Sequence, residues 1–378
     1  VNQKALDLAG INEETFVEGG EIVKSNGKLT GVLIDAPMKL VTNILPKPST
    51  EEKVKAFVDA EEILFANGLT TISVAGLDKD DIFIIDSLQK KGVLNMRVYA
   101  MISNTPENID YYLKAGPYKT DKLNVRSFKV YADGALGSRG AALKESYSDL
   151  KNHFGAFITP KDSLESLAYK LAASPFQMNT HAIGDAANKV VLQAYQKALV
   201  FSDDPRWRVE HAQIIDTADI AFFNRKILPS VQPTHATSDM YWAENRLGKE
   251  RLLGAYANKA LLERSGRIAL GTDFPVEDVS PFKTFHSAVA RTDSDEFPEG
   301  GYLPQNKLSR SEALSGMTIW GAYANFEEKE KGSIEVGKMA DFVILDRDLT
   351  KVSDKRILKT RVVATLIDGK IVYSNRIN

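Results

Sequence analysis

Seven short apolar runs rich in β-branched residues alternate along this chain with amphipathic stretches of helical length. That alternation leaves few folds open. The runs are Thr70–Val74, Met96–Ile102, Val125–Tyr131, Gln177–Thr180, Trp207–Glu210, Leu228–Gln232 and Arg267–Gly271. Strands separated by helices form βα units around a parallel sheet. The helices carry their own boundaries. Ser49 followed by Glu52 is a capping box for a helix over 51–67, which Gly68 stops. A second helix is expected over 184–199, and Ser309 with Glu312 opens a third. A closed (β/α)8 barrel needs eight such units. Everything before Thr70 reads as loops and helix, so the expected fold is an α/β, TIM-type barrel without its first strand.

The pattern changes near residue 334. Apolar runs at Phe342–Leu345, Val362–Leu366 and Ile371–Tyr373, the last two joined by Asp368-Gly369, predict a small antiparallel β element. The expected organisation is a barrel over 1–334 and this element over 335–378. Composition narrows the function. With 48 Lys and Arg against 50 Asp and Glu, the formal net charge is −2, which gives no reason to expect nucleic acid or an anionic membrane as partner. No apolar run is long enough to cross a bilayer. The start, Val1-Asn2-Gln3-Lys4, resembles neither a signal peptide nor a native N-terminus. The expectation is a cytoplasmic protein that acts on a small-molecule substrate. There is no cysteine, so a metal must be held by His, Asp, Glu or a modified Lys.

Three strand ends carry such groups: Asn179-Thr180-His181, Val209-Glu210-His211 and Leu270-Gly271-Thr272-Asp273. The C-terminal end of a parallel barrel strand is where barrel enzymes do chemistry. Two His and one Asp make a nitrogen- and oxygen-rich set suited to Zn²⁺ or a similar divalent ion.

Longer motifs occur in order around these residues. They are Lys129-Val-Tyr-Ala-Asp-Gly-Ala-Leu-Gly-Ser-Arg139, His181-Ala-Ile-Gly-Asp185, Val209-Glu-His211-Ala-Gln213, Gln232-Pro-Thr-His235, Gly271-Thr-Asp273-Phe-Pro275 and Gly332-Ser-Ile-Glu-Val-Gly-Lys-Met-Ala-Asp341. Over nearly its whole length the chain resembles the amidohydrolase superfamily, in the branch that includes N-substituted formamide deformylases. The resemblance implies a metal-dependent hydrolase of non-peptide C–N bonds. It also implies a barrel combined with a small β-sandwich built from both chain ends. The family's His-x-His pair at the end of the first barrel strand has no counterpart here. The chain therefore reads as a family member without its N-terminal portion, with one or two zinc ions expected in the complete enzyme.

The resemblance implies roles residue by residue. His181, His211 and Asp273 would be metal ligands, and Asp273 also the group that takes a proton from water and passes it to the leaving nitrogen. Lys129 would be a carboxylated lysine bridging two metals. Alternation opposite Phe128 and Val130 turns its side chain toward the barrel mouth. His235, Arg139 and Asp133 would contact substrate. Each residue also has a plainer reading. Buried histidines commonly bond backbone, Asp273 could cap the following helix, and Lys129 could pair with a carboxylate. Arg139 could pair with Asp133 across their Gly-rich loop. Asp185 reads as a helix cap or a partner orienting His181, Tyr241 and Trp242 could wall a pocket or simply pack, and His153 and His286 read as ordinary residues.

Three functions compete on this evidence: a C–N hydrolase, a truncated or degenerate relative that folds but is inactive alone, and another barrel enzyme such as a Lys129 Schiff-base aldolase. The third needs a phosphate-binding Gly loop near the last two strands, which the segment around Asp273 does not resemble. The first reading is preferred. Without a first strand, the Thr70–Val74 and Arg267–Gly271 strands would each show an unpaired edge, to be covered by a homodimer partner or by part of 1–45.

Overall fold

The computed structural model describes residues 1–375. The chain opens with a short helix, Gln3–Leu8, and then a hairpin of β1 (Gly20–Ser25) and β2 (Lys28–Asp35). The site-bearing sheet follows: β3 (Thr71–Leu77), β4 (Arg97–Ser103), the two-residue β5 (Tyr118–Lys119), β6 (Leu123–Tyr131), β7 (Gln177–Ala182), β8 (Trp207–His211), β9 (Ile227–Val231) and β10 (Ala269–Leu270). Its order is β10-β9-β8-β7-β6-β4-β3, all parallel, while β5 pairs antiparallel with the first half of β6. All seven expected strands are present. They form a curled parallel sheet of barrel type, with β3 and β10 at its two ends.

Helices cover the outer face, including Thr50–Ala66, Lys79–Lys90, Lys161–Ala172, Asp185–Ala198 and Pro281–Val289. The capping boxes at Ser49/Glu52 and Ser309/Glu312 both form. The main core lies between sheet and helices. Val98, Ala100, Ile102, Phe128, Val130, Met178 and Val209 face helical residues such as Leu164, Leu171, Val191 and Phe285. No described helix is long and apolar enough to cross a membrane.

The inner face of the sheet is polar, and its lower end is filled from below. Asn325 bonds Ser73 and Arg208, and its carbonyl accepts from Asn124. One irregularity decides which side chains reach this interior. Ala100 pairs with Val125 but Met101 pairs with Ser127, so Arg126 is an extra residue in β6. Val125 lies in the outer core, and unbroken alternation from it would send Lys129 outward as well. The bulge shifts the phase by one, so Phe128 and Val130 stay outside and Lys129 turns in.

A second antiparallel sheet, β11 (Phe342–Leu345), β12 (Val362–Ile367) and β13 (Lys370–Ser374), packs beside the end of the Thr50–Ala66 helix. There Thr365 donates to the Phe65 carbonyl. Arg97 at the start of β4 binds both oxygens of Asp341, and also Asp368 in the β12–β13 turn.

The N-terminal region corrects the expectation of loops and helix alone. Asn26 (φ 51°) and Gly27 (φ 77°) form a two-residue turn with both φ positive, the geometry that matches strand twist in a hairpin. The Asn-Gly signal is present in the sequence. The hairpin packs through Ile22, Leu29 and Leu33 on Leu6, Ile11 and Val41, and it brings Asp35 against Gly134 and Gly140 at the barrel rim.

Candidate metal centre

Five successive strands of the sheet each deliver one chemically competent residue to the same end. Lys129 comes from β6, His181 from β7 and His211 from β8. His235 lies on the short helix Pro233–Asp239 that follows β9, and Asp273 lies just past β10. The rings form an arc. His181 and His211 are 4.5 Å apart between centroids, and His211 and His235 stack at 5.8 Å with planes 19° apart. His235 Nε2 stands 3.5 Å from Asp273 Oδ2. One ligand atom from each of His211, His235 and Asp273 lies within 4.8 Å of the others.

Two of these residues sit in strained backbone. His211 has φ 72° and Asp273 φ 60°, the left-handed region that costs non-glycine residues on the order of 1–3 kcal/mol. At His211 the consequence is directional. Trp207 and Val209 face the outer core, and a regular strand would carry His211 with them. The turn at His211 and Ala212 (φ 43°) brings the imidazole to the mouth instead.

Two of the three imidazoles are oriented from behind. His211 Nδ1 is 2.7 Å from Gln232 Oε1, and His235 Nδ1 is 3.0 Å from Glu277 Oε1. With the acceptors on Nδ1, both rings are left to present Nε2, the arrangement found behind metal-ligating histidines. His181 is placed differently, with Nε2 3.4 Å from the Gly134 carbonyl and 3.7 Å from Asp133.

The electrostatics suit a cation. Burial, with the Lys129 charge close by, pushes His181 down to about 3. Burial and the neighbouring His181 hold His211 well below its usual value too. Both are therefore neutral, the form that can ligate. Burial would also lower His235, but its bonds to Asp273 and Glu277 outweigh that and hold it up at about 9. Lys129 is buried, and desolvation lowers its amine against the opposing pull of Glu210 and Asp273. The Lys129 ammonium position is 4.7 Å from the Tyr131 ring, which in turn lies 5.5 Å from His181. A His₂Asp donor set with oriented imidazoles fits a divalent cation.

The other expected site residues are spread around the rim. Asp133 is fully buried. Its carboxylate accepts backbone N–H bonds from Ala142, Ile183 and Gly184, pinning the Gly-rich loop to the end of β7. Burial raises it to about 7 despite those bonds. Arg139 does not pair with Asp133. It forks onto Asp149 at 3.0 and 2.9 Å, because the loop doubles back and presents that carboxylate. Asp185 neither caps its helix nor touches His181, and it accepts from the Lys144 N–H instead. Trp242 packs over Gly137 and under Arg246. His153 binds the Arg139 carbonyl, and His286 is buried away from the cluster in the Pro281–Val289 helix. Sequence reasoning missed Glu277 and Gln232. Both lie within or next to motifs already singled out, Gln232 three residues before His235 and Glu277 four after Asp273.

The model of the amidohydrolase family matches residues 1–373. Protein LONG AFTER FAR-RED 3 of Arabidopsis thaliana is 31% identical over 98% of this chain and 66% of its own length. The N-substituted formamide deformylase of Arthrobacter pascens is 26% identical over 98% of this chain and 71% of its own. The crystal structure of an uncharacterized metal-dependent hydrolase from Pyrococcus furiosus superposes with a TM-score of 0.76 at 26% identity, covering 93% of this chain and 70% of that one. The chain thus spans between 66% and 71% of the length of these relatives.

Proposed function

Since this chain belongs to the amidohydrolase family, we propose that it hydrolyses a non-peptide C–N bond, amide or formamide-like, in a small molecule, with the help of a divalent cation, zinc by the donor set. The observation that carries this reading is the convergence of His211, His235 and Asp273, delivered at or just beyond the ends of three neighbouring parallel strands, to within 4.8 Å. His211 and Asp273 would hold the cation together with an imidazole from a neighbouring strand end. When bound, the cation would activate water and polarise the substrate carbonyl.

The chain's own residues supply the rest. Asp273 is ionised beside the imidazoles and can accept the proton from water, then return it to the departing nitrogen. His235, held between two carboxylates, would be a ligand when neutral; where His181 completes the cation's ligands instead, the protonated ring of His235 can donate toward developing negative charge. Lys129, buried at the strand end beside these groups, would be the residue that carboxylation modifies. Tyr131, at the mouth above Lys129 and against His181, lines the approach to these groups.

The test is turnover of a panel of N-acyl, formamide and cyclic amide substrates by the purified chain, with Zn²⁺ or Mn²⁺ added. Hydrolysis that a chelator removes, and that falls by about 100-fold or more in Asp273→Asn, is the expected result. Hydrolysis indifferent to both chelator and Asp273→Asn would refute the proposal.

A further inference from the structure

We infer that Glu277 is a positioning residue of this centre: its carboxylate fixes the ring plane and tautomer of His235, so that Nε2 faces Asp273 and the space shared with His211. The geometry is specific. Glu277 Oε1 lies 3.0 Å from His235 Nδ1, and the same oxygen accepts from Ser238 Oγ at 2.6 Å. Ser238 belongs to the same short helix as His235, so two groups of that helix are tied to one carboxylate oxygen. The Glu277 side chain is 18% exposed, which leaves it little freedom to turn to solvent.

The backbone holds both carboxylates on one turn. Val276 and Glu277 both donate N–H bonds to the Asp273 carbonyl, at 2.9 and 3.4 Å. Asp273 therefore approaches His235 from the Nε2 side, and Glu277, four residues on, from the Nδ1 side. An imidazole between two acceptors has its tautomer chosen by the nearer one. Here that is Glu277 at 3.0 Å against Asp273 at 3.5 Å. In the neutral ring the proton belongs on Nδ1, and Nε2 is left for a cation or for substrate.

His211 shows what is distinctive about this pairing. Its Nδ1 meets the neutral amide of Gln232 at 2.7 Å. A carboxylate behind an imidazole raises its basicity as a ligand or proton carrier more than an amide does, because the charge stabilises positive charge on the ring. The two stacked histidines are thus backed by different groups, and only His235 is backed by a full charge.

The inference rests on the proposed hydrolytic reading for its consequence, but its first test does not. With ¹⁵N-labelled histidine, the five imidazoles can be followed by NMR in the metal-free chain. Recorded above the value of about 9 at which the ring becomes neutral, His235 is expected as the Nδ1–H tautomer in the wild type and as a mixture in Glu277→Ala, with His286 unchanged. Titration with Co²⁺ alone, read by its visible absorption, is expected to show binding weakened about 10- to 100-fold in Glu277→Ala and largely restored in Glu277→Asp. Glu277→Gln, isosteric and uncharged, covers the case in which Glu277→Ala does not fold, and is expected to fall between wild type and Glu277→Ala. An unchanged His235 tautomer in a folded variant, or Co²⁺ affinity within twofold of wild type, would overturn the role of Glu277. A wild-type chain that takes up no Co²⁺ would overturn the metal-dependent reading, and the tautomer would still decide Glu277.

Discussion

Removing the Arg97 guanidinium should cost this protein more stability than most single changes. The Arg97 side chain is 1% exposed and that of Asp341 5%, with contacts of 2.6 and 2.9 Å between them. Arg97 also donates to the Asp121 carbonyl at 2.7 Å. In Arg97→Met the stem and much of the packing remain, but Asp341 keeps only the Asp368 N–H at 3.0 Å. Breaking a buried pair from one side costs about 3–5 kcal/mol, because the remaining charge stays desolvated. Asp368 is half exposed and adds little. With an unfolding entropy of roughly 2.1 cal/mol/K per residue over one cooperative unit, the midpoint should fall by roughly 4–6 °C. The assay is thermal unfolding by circular dichroism, repeated for Arg97→Met/Asp341→Asn. The double variant should regain more than half of the loss, since it strands no charge. A single-variant shift below about 1 °C, or a double variant as unstable as the single, would show that solvent reaches the pair and that the burial argument fails.

Two further outcomes are expected. A Cβ on Gly134 would lie 2.0 Å from Asp35 Oδ2, so Gly134→Ala should destabilise by about 1–3 kcal/mol. Asp35→Gly should relieve most of that, Asp35 itself being left-handed at φ 58°, and strictly additive losses in a double-mutant cycle would disprove the contact. The second concerns pH. Burial lowers His286 against the attraction of Asp354, Glu296 and Asp293, so the folded state favours its neutral form. The unfolded chain then binds more protons below the ordinary value of 6.5, and stability present above that pH is lost as pH falls through it. Urea midpoints should drop more steeply between pH 7.5 and 5 in the wild type than in His286→Phe, and parallel slopes would contradict the assignment.

Much of the fold was written locally. Alternation between apolar strands and helices is a matter of side-chain period and burial, and it located the seven parallel strands of the site-bearing sheet to within a few residues, missing only the two-residue β5 among its described strands. Ser49, Ser309 and the Asp368-Gly369 turn act over three or four residues, so their signals survive without knowledge of the rest. The inward turn of Lys129 was legible from Phe128 and Val130 beside it. It would have been misread from Val125, because the bulge at Arg126 intervenes.

What the chain alone determined, then, was a parallel α/β sheet with His, Asp and Lys at the ends of its strands. Which of those side chains meet was decided only by the tertiary structure. His235 joins His211 and Asp273 because the helix after β9 folds over the mouth, and Glu277 stands behind it because the Asp273 turn doubles back. His211 points inward because its backbone is left-handed, a conformation that no residue-type preference at that position announces. Arg139 finds Asp149 rather than Asp133, ten residues along a loop whose path is set by Asp133's own backbone bonds. The physical reason is common to all four. Period and capping are fixed by nearest neighbours, whereas contacts between strand ends depend on sheet order and loop path, which exist only once the whole core has packed.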